Sequence, residues 1–244
     1  MPVAIGEAAL RAAEVGQAFS TGVVEEPPFG GQWIRIRPHG GEGPLWIPLA
    51  YCRRVAPEND TGGDLPIGSE RIGPYDGLPP DYQPRDLTPV PAKYCYNDLP
   101  QRLRAEALAA CIEMIDAARR EAGLGIKVLS TFRSAYNQAH LCRRKIAEAG
   151  IDQGDVARPG HSEHQLGTAI DFVREDGRHL LAPDFGDTPE GRWLRANCRR
   201  FGFVLTYTAE RAAREGSAAE PWHFRYVRRE NAGRFETRLR EGTW

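Results

Sequence analysis

RPGHSEHQLGTAID at residues 158–171 and EPWHF at 220–224 together contribute His164, Asp171, Glu220 and His223. Two imidazole nitrogens and one carboxylate oxygen leave the fourth tetrahedral position of a zinc ion open to water. A carboxylate outside the ligand set can take a proton from that water. This is the inventory of a catalytic zinc (Zn2+) site, with His164, Asp171 and His223 as ligands and Glu220 as base. A lone histidine is more often a surface or satisfied core residue than a ligand, so the reading rests on the combination. Gly167, Thr168 and Ile170 make a poor helix, whereas TAIDFV makes a good strand. His164 is therefore expected on a loop entering the strand that carries Asp171, with Gly167 allowing close backbone approach. Residues three apart on a strand face opposite sides, and Pro221 moves Glu220 out of the helical region. A bend at Pro221 before the strand WHFRYV would turn His223 to the metal and let Glu220 reach the water.

Upstream, the strand KVLSTF (127–132) delivers Arg133, and Ser134 caps a helix that ends at Gly150. Such a junction favours an anion, because free amide groups at a helix start and a guanidinium fork both bind carboxylates and oxyanions. Taken alone, Arg133 would be read as a structural ion pair.

STFRSAYNQ at 130–138, SEHQLGTAID and EPWH together resemble the D-alanyl-D-alanine carboxypeptidases of the vancomycin-resistance Y type, within a wider group that includes lysostaphin-like enzymes and the hedgehog amino-terminal domain. That family's pattern is His, six residues, Asp, then a later Glu-x-x-His, matched here at His164, Asp171, Glu220 and His223. The resemblance covers roughly residues 86–230. It implies an α+β fold, a small antiparallel sheet with flanking helices around one zinc ion, and hydrolysis of peptidoglycan stem peptides. It also implies that Arg133, Ser134 and Gln138 hold substrate and stabilise developing charge, with Ser162 near substrate or metal. Thr131 and Phe132 stand where many members have Gly and Tyr. The expected activity is D,D- or L,D-carboxypeptidase release of terminal D-alanine. The alternatives are an endopeptidase that cuts cross-links and, in a different class, a zinc-containing binding module without turnover. Glu220 and Arg133 argue against the last, since a structural site needs neither. The substrate class implies the cell envelope, periplasm or extracellular space, although the first residues show no secretory signal.

At 244 residues, the chain is long enough for one large domain or a domain with an appendage. With 32 basic and 33 acidic side chains, nothing points to nucleic acid or an acidic membrane as partner. No stretch approaches membrane-spanning length, and a monomer is the default. The division expected is a catalytic domain over 86–244 and an extension over 1–85, with a short helix over 4–19, short strands over 29–55 and a Pro/Gly-rich arm over 57–92. In the catalytic domain a core helix runs from Leu99, with Pro100 in its first turn, to Gly123 or Gly125. A further helix is capped by Thr188 and ended by Gly202, and a polar loop over 208–219 is a candidate substrate flap. A charged helix over about 229–241 closes the domain. Five cysteines lack metal-type spacing. A Cys52–Cys95 bridge would tie the extension to the domain, while Cys111 and Cys142 read as buried thiols. His140, His161 and His179 read as bystanders.

Overall fold

The computed structural model describes residues 64–68, 72, 77–150, 156–215 and 218–242, and the backbone of six short strands before them. The chain divides into two compact units, one of Met1–Gly63, Ile72–Tyr82 and Ser134–Ser162, the other of Asp64–Arg71, Gln83–Arg133 and Glu163–Trp244.

In the first unit, β1 (Leu10–Ala12) lies between β2 (Ala18–Phe19) and β6 (Cys52–Arg54), and β4 (Trp33–Ile36) lies between β3 (Gly22–Glu25) and β5 (Leu45–Pro48). All these pairings are antiparallel. The alternating apolar residues of QWIRIR and PLWIPL thus form strands as expected, whereas the helix expected over 4–19 is replaced by β1 and β2. Of the arm expected over 57–92, residues 57–63, 69–71 and 73–76 lie outside the described residues.

In the second unit, β7 (Leu87–Pro89) pairs with β8 (Arg102–Arg104), and a four-stranded antiparallel sheet runs in the order β11 (Phe203–Leu205), β12 (His223–Tyr226), β10 (Ala169–Arg174), β9 (Ile126–Ser130). The helix α1 spans Ala105–Ala122 and ends on Gly123 at φ 67°. It starts later than Pro100 suggests, because Arg102–Arg104 is committed to pairing with Leu87–Pro89. Ala107, Leu108, Cys111, Met114, Ile115 and Ala118 form its buried face. That face shares one core with Ile126, Val128, Ile170, Phe172, Phe203 and Phe224. Phe172 meets Phe203 and Phe224 edge-on, and burial of each such ring contributes about 1.5–3 kcal/mol.

The chain next forms α2 (Ala135–Ala149), which belongs to the first unit; Ser134 Oγ accepts from the Asn137 amide at its start. Back in the second unit, Thr188 caps α3 (Pro189–Asn197) by accepting from the Gly191 amide, and Gly202 ends the turn that follows at φ 81°. The expected loop over 208–219 contains a helix, α4 (Ala209–Glu215), since AERAARE is rich in strong helix formers. The charged helix α5 spans Arg229–Glu241. Among the described residues, no helix is long and apolar enough to cross a membrane. Cys95, Cys111 and Cys198 are free thiols, so Cys95 forms no bridge to Cys52.

Candidate metal centre

Register places the two motifs. In the β10–β12 ladder Ile170 faces Phe224 and Asp171 faces His223, and directly opposed side chains project to the same side within about 5.5 Å at Cβ. Alternation sends Ile170, Phe172 and Phe224 into the core and leaves Asp171 and His223 on the other side. A register shift between Asp171 and Phe172 opposite β9 interrupts the ladder at this point.

His164 arrives from a short 3-10 turn, Glu163–Leu166, and not from an open loop. Its Nδ1 donates to the Thr131 carbonyl at 2.7 Å, which turns Nε2 to within 3.2 Å of Asp171 Oδ2. The Arg133 amide donates to the His164 carbonyl, so the strand end and the turn are fixed to each other. Gly167, just after the turn, has φ 69°, and a Cβ there would lie 2.8 Å from Leu87 Cδ2. Gly167→Ala is therefore expected to destabilise the protein by about 1–3 kcal/mol, read as a lowered denaturation midpoint.

His223 Nδ1 lies 2.9 Å from Asp171 Oδ1, and the two imidazole rings meet edge to face at 4.9 Å. The donor atoms of His164, Asp171 and His223 all fall within 4.8 Å of one another, and all three residues are buried. Among the described residues no other set of three His, Cys, Asp or Glu has this form. Two imidazoles and one carboxylate, each imidazole with one nitrogen turned toward the shared space, fit a zinc ion.

Glu220 stands beside this group without joining it. Its Oε2 is 3.7 Å from His223 Nδ1, and its side chain is 24% exposed, against 2% for His223. The expected bend at Pro221 is present: the Glu220 amide donates to the Tyr207 carbonyl, and the His223 amide donates to the Glu220 carbonyl. Arg133 NH2 lies 4.0 Å from Asp171 Oδ2 and donates to Ser130 Oγ.

The charges of the site are strongly coupled. Burial, reinforced by Asp171 and Glu163 and opposed by His223 and Arg133, pushes the Glu220 carboxyl up to about 7. Burial opposes charge on His223, but the hydrogen bonds to Asp171 and Glu163 prevail and raise its pKa to about 10. Burial lowers the pKa of His164. Burial works against Asp171 as an anion, yet the two histidines hold its carboxyl well below the usual range.

Ser134, Gln138 and Ser162 belong to the first unit. There Ser134 caps α2, and Gln138 Nε2 donates to the Ala157 carbonyl. His140 meets Tyr136 edge to face, and His179 pairs with Asp184, both outside the His164/Asp171/His223 group. His161 is also outside it. One residue the sequence reading passed over is Glu163, whose Oε2 lies 3.1 Å from His223 Nε2.

The family model described as VanY, D-alanyl-D-alanine carboxypeptidase, matches residues 100–229. The chain belongs to the VanY family. The D-alanyl-D-alanine carboxypeptidase of Enterococcus faecalis is 34% identical over 155 residues, covering 57% of this chain. The bifunctional D-Ala-D-Ala dipeptidase and carboxypeptidase VanXYC of Enterococcus gallinarum is 33% identical over 106 residues, covering 42% of this chain. The matched regions make up only 55% and 56% of those relatives' own lengths. Among solved structures, the LdcB LD-carboxypeptidase matches with TM-score 0.62 and 28% identity, over 70% of this chain and 80% of that one. VanYB in complex with D-alanine-D-alanine matches with TM-score 0.54 and 27% identity, over 70% and 91%. A VanY variant bound to Zn(II) also matches with TM-score 0.54, at 27% identity over 70% and 92%.

Proposed function

We propose that the chain is a zinc-dependent carboxypeptidase of peptidoglycan stem peptides, releasing a terminal D-alanine, with residues 86–244 as its catalytic domain. The observation that carries this reading is the largely buried but still accessible Glu220 carboxylate beside a buried His/Asp/His group that it does not join. A purely structural metal site has no use for such a base. Zinc held by His164, Asp171 and His223 would supply a Lewis acid and make water chemistry available at neutral pH. Glu220 accepts the proton of the attacking water and passes it to the leaving amine, a general-base then general-acid role. Arg133 contributes positive charge toward an oxyanion or the substrate's terminal carboxylate. Substrate contacts by Ser134, Gln138 and Ser162 rest on the motif resemblance. A cell-envelope or extracellular location follows from the substrate.

Mass spectrometry of defined stem peptides tests the reading. Loss of D-alanine from a pentapeptide ending in D-Ala-D-Ala would mark a D,D-carboxypeptidase, and loss from a tetrapeptide ending in D-Ala an L,D-carboxypeptidase. Cleavage of cross-linked dimers alone would replace the proposal with an endopeptidase, and no cleavage with a binding module.

Metal uptake should depend on pH. In the metal-free protein His223 holds its proton up to about 10, and a ligand must give up its proton to bind. Below that value, zinc affinity is expected to rise about tenfold per pH unit, roughly 100-fold from pH 6 to pH 8. Calorimetry in buffers of different ionisation heat should register the released proton; a heat that does not vary with buffer would contradict this.

A further inference from the structure

We propose that Glu163 is a positioning residue for the metal centre: it fixes which nitrogen of His223 is presented to the ion. The inference rests on the zinc-site reading above and extends it to a residue outside the ligand group. An imidazole ligand offers one nitrogen to a metal, and the hydrogen bond made by the other decides which one and at what angle. His223 has a carboxylate at each nitrogen, Asp171 Oδ1 at 2.9 Å from Nδ1 and Glu163 Oε2 at 3.1 Å from Nε2. These two carboxylates have different roles. Asp171 shares its space with His164, whereas Glu163 sits on the far nitrogen, outside the set whose donor atoms converge. With Nε2–H given to Glu163, release of the Nδ1 proton to admit a metal leaves the Nδ1 lone pair turned toward Asp171 and His164.

Glu163 is itself held in place from several elements. The Thr206 hydroxyl donates to Oε2 at 2.8 Å. Arg225 NH1, on the same strand as His223, donates to Oε1 at 3.4 Å, and Arg211 NH1, from α4, lies 3.9 Å from that oxygen. The side chains of all three charged residues are at most 6% exposed. Two buried cations beside one buried anion keep Glu163 ionised, as an acceptor only, and so able to take a proton donor from His223 but not to give one. The guanidinium of Arg211 also lies over the Tyr207 ring, which in turn packs on the His223 ring. The imidazole is thus held at Nε2 by Glu163 and packed edge-to-face with the Tyr207 ring. Glu163 directly precedes His164 in the 3-10 turn, so a single turn supplies one ligand and the acceptor that orients another.

The test is zinc affinity, measured by competition with a chromophoric chelator, for metal-free wild type and Glu163→Gln, each shown to be folded by circular dichroism. The expected result is about 10–100-fold weaker zinc binding in the variant. If Glu163→Gln does not fold, Glu163→Asp takes its place; with its carboxylate a methylene short of Nε2, it should weaken zinc within the same range. Unchanged zinc affinity in a folded variant, even with a lowered melting temperature, would make Glu163 a structural residue and overturn the proposal while leaving the metal site intact. A folded wild type that takes up no zinc would overturn both.

Discussion

Glu220→Gln is expected to keep its zinc and to lose about 10²–10⁴-fold in turnover, the range that a positioned general base contributes. The glutamine has nearly the same shape, cannot take a proton from water, and leaves His164, Asp171 and His223 untouched. Because Glu220 is not one of the converging ligands, metal content and melting temperature should stay close to wild type. A variant with unaltered turnover would remove Glu220 from the chemistry. One that lost zinc as well would place its carboxylate among the ligands.

The second large effect is expected at Asp171. Its two oxygens meet His164 Nε2 at 3.2 Å and His223 Nδ1 at 2.9 Å, so it is the common member of the group. Asp171→Ala removes a proposed ligand and also the carboxylate that offsets the charge of His223. Zinc affinity should fall by more than the roughly 10–100-fold expected of an outer residue such as Glu163, and peptide hydrolysis should fall with it at limiting zinc. Chelator competition on the two variants side by side gives the ranking; equal losses would contradict the assignment of Asp171 as ligand and Glu163 as support.

The clustering of His164, Asp171 and His223 was legible because these residue types are chemically rare and their strands are strongly marked. TAIDFV and WHFRYV each read as a strand alone, and antiparallel pairing of the two brings Asp171 opposite His223. Glu163 was not legible, since an acid in a polar, Gly-bounded segment looks like a solvated residue. Its burial depends on Thr206, Arg211 and Arg225, which are distant in sequence. The start of α1 was misplaced for a related reason. Pro100 is a good local signal for a helix start, but the competing pairing of Arg102–Arg104 with Leu87–Pro89 is long-range. Between Ala209 and Glu215 the local signal was itself helical, and the surrounding polar residues concealed it. The strands at Leu10–Ala12 and Ala18–Phe19 replace a helix suggested by Ala-rich spacing, where propensity is a weak guide and pairing with Cys52–Arg54 prevails.

The most direct measurement is a zinc titration of the metal-depleted protein, following release of D-alanine from a stem peptide. The account predicts negligible release at the start, a linear rise, and a plateau at about one zinc per chain. Full release by the metal-depleted protein in excess chelator, or stoichiometric zinc uptake with no release from any stem peptide, would contradict it.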